Sequence, residues 1–298
     1  TFVRGHPHIG TGTVLGHEMT GVIEETQAAG WSVGERVVVA PYVPCDDCLY
    51  CRRGQFTLCQ NLFAASAEPG GFSEFVRVPP RLVEKGLFRL PPNVDFVLGT
   101  LVEPLACSYH GLEALALKQG ESFLIIGDGP MGLMQTILAR AIGASPLVVA
   151  GMTPARLAIA ARYADRVIDV SKANLPDEIK TLTSGAGIDK VIVSVGQAQV
   201  AEDALALVGR GGALNFFAGL PSGSRVNVDP NRIHYDEIRL VGTFGFSPSH
   251  FAHALESLTQ NAEQFRVLIT LTVPLEGLEQ AFIDSSHYEG IKTVARLA

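Results

Sequence analysis

From Glu121 onward the chain alternates short apolar runs with stretches of helical periodicity. Ser122–Ile126, Leu147–Ala150, Arg166–Val170, Lys190–Val195, Ala213–Ala218 and Ile238–Phe244 read as strands. Met131–Ile142, Pro154–Tyr163, a stretch near Asp177–Thr183 and Val200–Val208 read as helices between them. Strands that are apolar at successive positions are buried on both faces, so the pattern predicts an α/β fold with a parallel sheet covered by helices on either side. Upstream, Gly21–Glu24 reads as a strand, and Pro104 opens a helix whose Leu105, Tyr109, Leu112 and Ala116 share one face. Glu103 then stands at the mouth of that helix, beside its packed face.

Length and charge narrow the possibilities. A chain of 298 residues, 47% hydrophobic and 18% charged, accommodates two domains. Twenty-three basic residues against thirty acidic give a net charge of −7, and with no basic block this argues against nucleic acid or an anionic membrane surface as partner. No apolar stretch reaches the roughly eighteen residues that cross a bilayer, and Thr1–Gly10 lacks the apolar centre of a signal peptide. A cytoplasmic location is the default expectation.

Four of the five cysteines fall together as Cys45, Cys48, Cys51 and Cys59, a C-x2-C-x2-C-x7-C pattern. Such gaps let several thiolates converge from a loop on one tetrahedral zinc, each about 2.3 Å from the ion. A site filled by four sulfurs leaves no place for substrate, so the lobe 45–59 reads as structural. Reduced or disulfide-paired cysteines are the alternative; Cys107 stands alone and reads as a small core residue.

The strand Ser122–Ile126 leads into Gly127-Asp128-Gly129-Pro130-Met131-Gly132, a G-x-G-x-x-G that opens a helix. In that context Gly127 allows the tight turn, Gly129 the approach of a pyrophosphate, and Gly132 close packing of helix on strand, while the helix that Pro130 and Met131 open offers its free N-terminal N–H groups to the phosphates. A purely structural turn is the alternative. The acid that usually follows about twenty residues on, to bind the adenosine ribose, is absent: Gly129 to Ala164 contains none, and the second strand ends Ala150-Gly151-Met152-Thr153. Thr153 and Arg156 can offer a hydroxyl and a guanidinium to a 2′-phosphate, so NADP, or use of both NAD and NADP, is expected.

Two further segments can bind metal: His17-Glu18 after Gly16, and Glu103-Pro104. Position 21 is Gly, so H-E-x-x-H is not formed and a metalloprotease is excluded. Together with the four-cysteine lobe and the glycine-rich loop, these segments resemble the zinc-dependent medium-chain alcohol dehydrogenase superfamily. Leu101-Val102-Glu103-Pro104-Leu105-Ala106 is similar to its polyol (sorbitol) and threonine dehydrogenase branch, and the likeness runs from Thr1–Glu25 to the closing Gly290-Ile291-Lys292-Thr293-Val294.

The resemblance implies a Rossmann doubly wound sheet domain at about 105–245, beside a GroES-like, mainly-β catalytic domain formed by 1–104 and 246–298. It implies that His17 binds a catalytic zinc, with Glu103 as a further ligand or as holder of the zinc-bound water, and Glu18 close enough to enter the coordination sphere. On a straight strand the two neighbours would diverge, so the backbone must turn at His17-Glu18. The implied reaction is hydride transfer between a small alcohol or polyol and NAD(P), zinc lowering the pKa of the bound hydroxyl to roughly 7. Val195, Gly196, Ala218, Gly219 and Thr243 are implied at strand ends facing the cofactor, and Lys292 at its phosphates. A homodimer or homotetramer is expected through the edge strand Arg239–Phe246. The family's further Cys ligand, in a C-G-x-D segment, matches nothing from Thr1 onward, so the reading expects a longer parent chain and doubtful catalysis without it. His6 and His8 read as polar surface. The competing reading is a non-catalytic zinc- and dinucleotide-binding protein.

Overall fold

The computed structural model describes residues 10, 12–287 and 289–297; His6 and His8 lie outside them. The described residues form two compact units, one running up to Ala106 and resuming at Gly245, the other the uninterrupted Cys107–Phe244.

In the first unit, β1 (Met19–Val22), β2 (Arg36–Val39) and β3 (Leu87–Arg89) make an antiparallel sheet in the order β1-β2-β3. Met19, Val37 and Val39 pack with Val43 and Leu82, and Trp31, Val76 and Leu87 close around them. The strand expected at Gly21–Glu24 thus starts two residues earlier. Asp95 caps the short helix Phe96–Gly99, accepting from the Leu98 amide at 2.7 Å, and pairs with Arg266 at 2.7 Å.

The second unit contains β4 (Phe123–Ile126), β5 (Leu147–Gly151), β6 (Arg166–Asp169), β7 (Ile188–Val193), β8 (Val208–Phe216) and β9 (Arg239–Gly242), all parallel, in the order β6-β5-β4-β7-β8-β9. Every residue of β4 and β5 is buried, which is why neither shows polar alternation. The chain steps outward from β4 through β5 to β6 and then crosses to β7 on the other flank of β4, so the strand order reverses at β4 and β7, where such sheets bind ligands. The helix Pro130–Ile142 follows β4, with Pro130 at its first position and Gly143 ending it in the left-handed conformation.

Several expected boundaries move. β8 begins at Val208 rather than Ala213, because its Gly-rich start bulges and the pairing with β7 shifts register between Ile188 and Lys190; the preceding helix accordingly stops at Ala204, with a 3-10 turn over Leu205–Leu207. The helix expected to open at Pro104 runs Val102–Ala114, so Glu103 lies in its first turn and is buried rather than peripheral, and Ala116 lies past its end.

Back in the first unit, β10 (Ile269–Val273) and β11 (Lys292–Ala295) pair in parallel. The returning chain is fixed to the early sheet by rings: Tyr42 stacks on Phe246 at 4.8 Å, Phe246 meets Phe251 at 5.4 Å, and Phe251 meets Phe88 at 5.2 Å. Among the described residues no helix is long and apolar enough to cross a membrane.

Candidate functional site

His17, Glu18 and Glu103 each offer one ligand atom, and these atoms lie within 4.8 Å of one another. Backbone contact sets up the approach of His17. A Cβ on Gly16 would meet the Phe72 amide at 2.7 Å, and one on Gly70 would meet the Val14 carbonyl at 2.3 Å. Segments 14–16 and 70–72 therefore run main chain against main chain, joined by the Gly71 amide to the Gly16 carbonyl at 2.7 Å and the Phe72 amide to the Leu15 carbonyl at 2.9 Å. The chain bends at Glu18 just before β1, so the two neighbours face one point instead of opposite sides.

Glu103 arrives from the helical side. The Thr20 hydroxyl donates to the Phe96 carbonyl at 2.7 Å, and a Cβ on Gly99 would sit 2.7 Å from Thr20 Cγ2, so the helix Phe96–Gly99 rests on β1 and leads directly into Val102–Ala114. The Glu103 side chain is 7% exposed and that of His17 64%, with Nε2 and Oε2 3.9 Å apart. Two ligands sharing one tetrahedral zinc at about 2.0–2.2 Å each stand about 3.4 Å apart, so a shift of about half an ångström would bring the pair onto one ion, and a nearby cation offsets the cost of burying a carboxylate. Glu18 already has one: Lys292 on β11 donates from Nζ to Oε1 at 2.6 Å. Lys292, expected at cofactor phosphates, is thus engaged beside the metal-capable cluster.

The four thiols of Cys45, Cys48, Cys51 and Cys59 also lie within 4.8 Å of one another. Cys48 and Cys51 Sγ are 3.5 Å apart, near the separation of two sulfurs on one tetrahedral zinc. Main-chain amides point at the sulfurs: Cys45 at Cys59 Sγ (3.2 Å), Cys48 at Cys45 Sγ (3.4 Å) and Asn61 at Cys59 Sγ (3.3 Å). The Asp47 and Cys48 amides lower the Cys45 thiol to about 6, whereas burial, then the neighbouring Cys48 and Cys59, push Cys51 up to about 12. Four thiols this close ionise together only around a cation, so the donor set fits structural zinc.

In the second unit the glycine-rich loop fits a dinucleotide. A Cβ on Gly132 would fall 1.8 Å from the Gly127 carbonyl, whereas one on Gly129 meets nothing within 4 Å; the helix is pressed onto the strand while the backbone at Gly129 stays open to a phosphate. No side chain caps the helix start at Pro130 and Met131, leaving the first N–H groups after Pro130 for an anion. The strand-end residues gather here: Val195 packs against Gly127, Gly196 approaches the Gly219 carbonyl, and the Ala218 amide bonds Val193 at 3.0 Å. The buried Asn215 donates to Thr243 Oγ1 at 3.2 Å.

Of the two residues expected at a 2′-phosphate, one is buried and the other has its main-chain amide engaged. Arg156 is buried at 8% exposure, and the Thr153 amide donates to Asp128 Oδ2 at 2.7 Å. Asp128 is a residue the motif reading passed over. Its signal was strand register: Ile126 pairs with Ala150, which brings the residues after β4 alongside those after β5.

Comparison with known proteins gives a consistent picture. The family described as alcohol dehydrogenase GroES-like domain matches residues 1–91, and that described as zinc-binding dehydrogenase matches residues 130–260. Sorbitol dehydrogenase of Bacillus subtilis (strain 168) is 30% identical over 273 residues, covering 90% of this chain and 76% of the relative. The solved alcohol dehydrogenase TADH from Thermus sp. ATN1 superposes with a TM-score of 0.86 at 26% identity, covering 96% of this chain and 85% of its own. A zinc-binding dehydrogenase from Sinorhizobium meliloti 1021 bound to NADP gives 0.83 at 27% identity, with coverage of 96% and 83%.

Proposed function

The chain belongs to the zinc-dependent medium-chain alcohol dehydrogenase superfamily, and on that premise we propose that His17, Glu18 and Glu103 form its catalytic metal centre, acting on a secondary alcohol or polyol. The reaction is hydride transfer between the alcohol and a nicotinamide dinucleotide, with zinc as Lewis acid; when bound there, zinc brings an alcohol hydroxyl within reach of deprotonation near neutral pH. The observation that carries the assignment is the convergence of one imidazole and two carboxylates within 4.8 Å from two segments far apart in the chain, His17-Glu18 and Glu103. Three protein donors leave a coordination position for substrate, in contrast to the closed four-cysteine set. His17 and the buried Glu103 hold the ion, and Glu18 stands by as a third donor whose charge Lys292 shares.

Gly127, Gly129, Pro130, Met131 and Gly132 hold the pyrophosphate, and Val195, Gly196, Ala218, Gly219 and Thr243 line the nicotinamide side. Thr153 and Arg156 predict NADP use; burial of Arg156 counts against its guanidinium as a ligand of a 2′-phosphate. The exposed edge of β9 supports a homodimer or homotetramer built by strand pairing. Cysteines gathered for a metal rather than paired in disulfides support a reducing, cytoplasmic location.

Metal analysis of the protein and of Glu103→Gln tests the centre. Two zinc ions per chain are expected, one for each cluster, falling to one in the variant, with loss of at least about a hundredfold in turnover of secondary alcohols or polyols followed by absorbance of the reduced nicotinamide. A single ion in the parent protein together with no turnover of any such alcohol would leave a dinucleotide-binding protein without this chemistry.

A further inference from the structure

The second position of the glycine-rich loop is an acid, Asp128, which is 93% buried. Its Oδ2 accepts from the amides of Thr153 at 2.7 Å and Met152 at 3.2 Å, while Oδ1 makes no hydrogen bond among the described residues. Those amides directly follow β5, the place where an NAD-type sheet ordinarily carries the acid that binds the adenosine ribose, and where Gly151-Met152-Thr153 supplies no acid. The carboxylate occupies that space: a Cβ on Gly151 would lie 2.5 Å from Asp128 Cβ and Cγ and 2.7 Å from Oδ2. Position 151 has no room for a side chain because Asp128 fills the space. The two parallel strands bring this about, since the Gly127 amide bonds the Ala150 carbonyl at 2.8 Å and Asp128, one residue further on, comes abreast of Gly151.

Resting on the reading of 127–132 as a dinucleotide loop, we propose that Asp128 is the specificity-determining residue at the adenosine ribose, lending from the phosphate-binding loop the carboxylate that the end of β5 lacks, and that it selects a free 2′-hydroxyl over a 2′-phosphate. Oδ1 is an acceptor suited to a ribose hydroxyl. A 2′-phosphate brings like charge against the carboxylate, and the Met152 and Thr153 amides that could have received it are already bonded to Oδ2. The chain is therefore selective for NAD over NADP, despite having no acid at the end of its second nucleotide-domain strand.

The test is fluorescence titration of the intact protein with NADH and with NADPH, in the parent and in Asp128→Asn, which keeps an acceptor for the two amides and removes the charge. The parent is expected to bind NADH about tenfold or more tighter than NADPH, and the variant to narrow that ratio by about tenfold, mainly by gaining affinity for NADPH. A parent that binds NADPH as tightly as NADH overturns the proposal by itself, whether or not the variant folds. A folded variant, with a melting transition like the parent's, whose ratio is unmoved overturns it equally. In both cases dinucleotide binding persists and the proposed function stands. Binding of neither dinucleotide by the parent instead overturns the reading of the loop, and this inference with it.

Discussion

Asp95 shows how one side chain serves two contacts. Burial would raise its carboxyl, but the Leu98 amide and Arg266 together hold it below the ordinary carboxylate value. Its folded pKa is thus lower than its unfolded one, so the stability it contributes is complete above the unfolded value, about 4, and is lost as pH falls through the folded value. Asp95→Ala is expected to cost about 1 kcal/mol at neutral pH, measured by urea unfolding, with the gap from the parent closing as the pH drops below about 4. A gap constant down to strongly acid solution would show that the carboxylate charge contributes nothing. At this scale the sequence was legible where spacing alone carries chemistry, as in the four cysteines and the glycines of the loop. It was not legible where a partner comes from a distant segment: Lys292 reaches Glu18 from the far end of the chain, and no local pattern announces that pairing.

Among elements, the sheet of the second unit was readable because β4 and β5 are apolar throughout and β7 is so over Val191–Val193, and a strand buried on both faces writes that directly into sequence. β8 starts before the expected Ala213 because its glycine-rich beginning bulges yet stays inside the strand, a feature that apolar periodicity does not mark. The helix Val102–Ala114 began before Pro104 because the chain from Phe96–Gly99 is already pressed on β1, a tertiary constraint that proline preference does not register. Among the described glycines, Gly132 is the one at which an added Cβ would be most crowded, against Gly127. Gly132→Ala is expected to lose dinucleotide binding by titration and to destabilise the protein by about 1–3 kcal/mol in thermal melting, since the added carbon would lie 1.8 Å from a carbonyl that belongs to the phosphate turn. Unchanged affinity would mean that helix and strand are free to separate.

For the whole molecule, the chain is partitioned unevenly between its units: Cys107–Phe244 is continuous, whereas the other unit is built from both ends of the described sequence. A fragment spanning 102–244 is expected to fold by itself, showing a cooperative thermal transition and binding dinucleotide, while a fragment of 10–106 is expected to show neither a cooperative transition nor native near-ultraviolet dichroism. A cooperative melt of the latter would mean that the ring ladder through Phe246 and Phe251 contributes little. That ladder also imposes a schedule at the ribosome. Tyr42 emerges about 200 residues before Phe246, so at roughly 5–20 residues per second the first-made strands wait on the order of 10–40 s for the rings that complete their core. The nucleotide unit, synthesised in the interval, holds all its own strands before the older part is closed. The order in which the units can complete their cores is thus the reverse of the order in which their first strands are made.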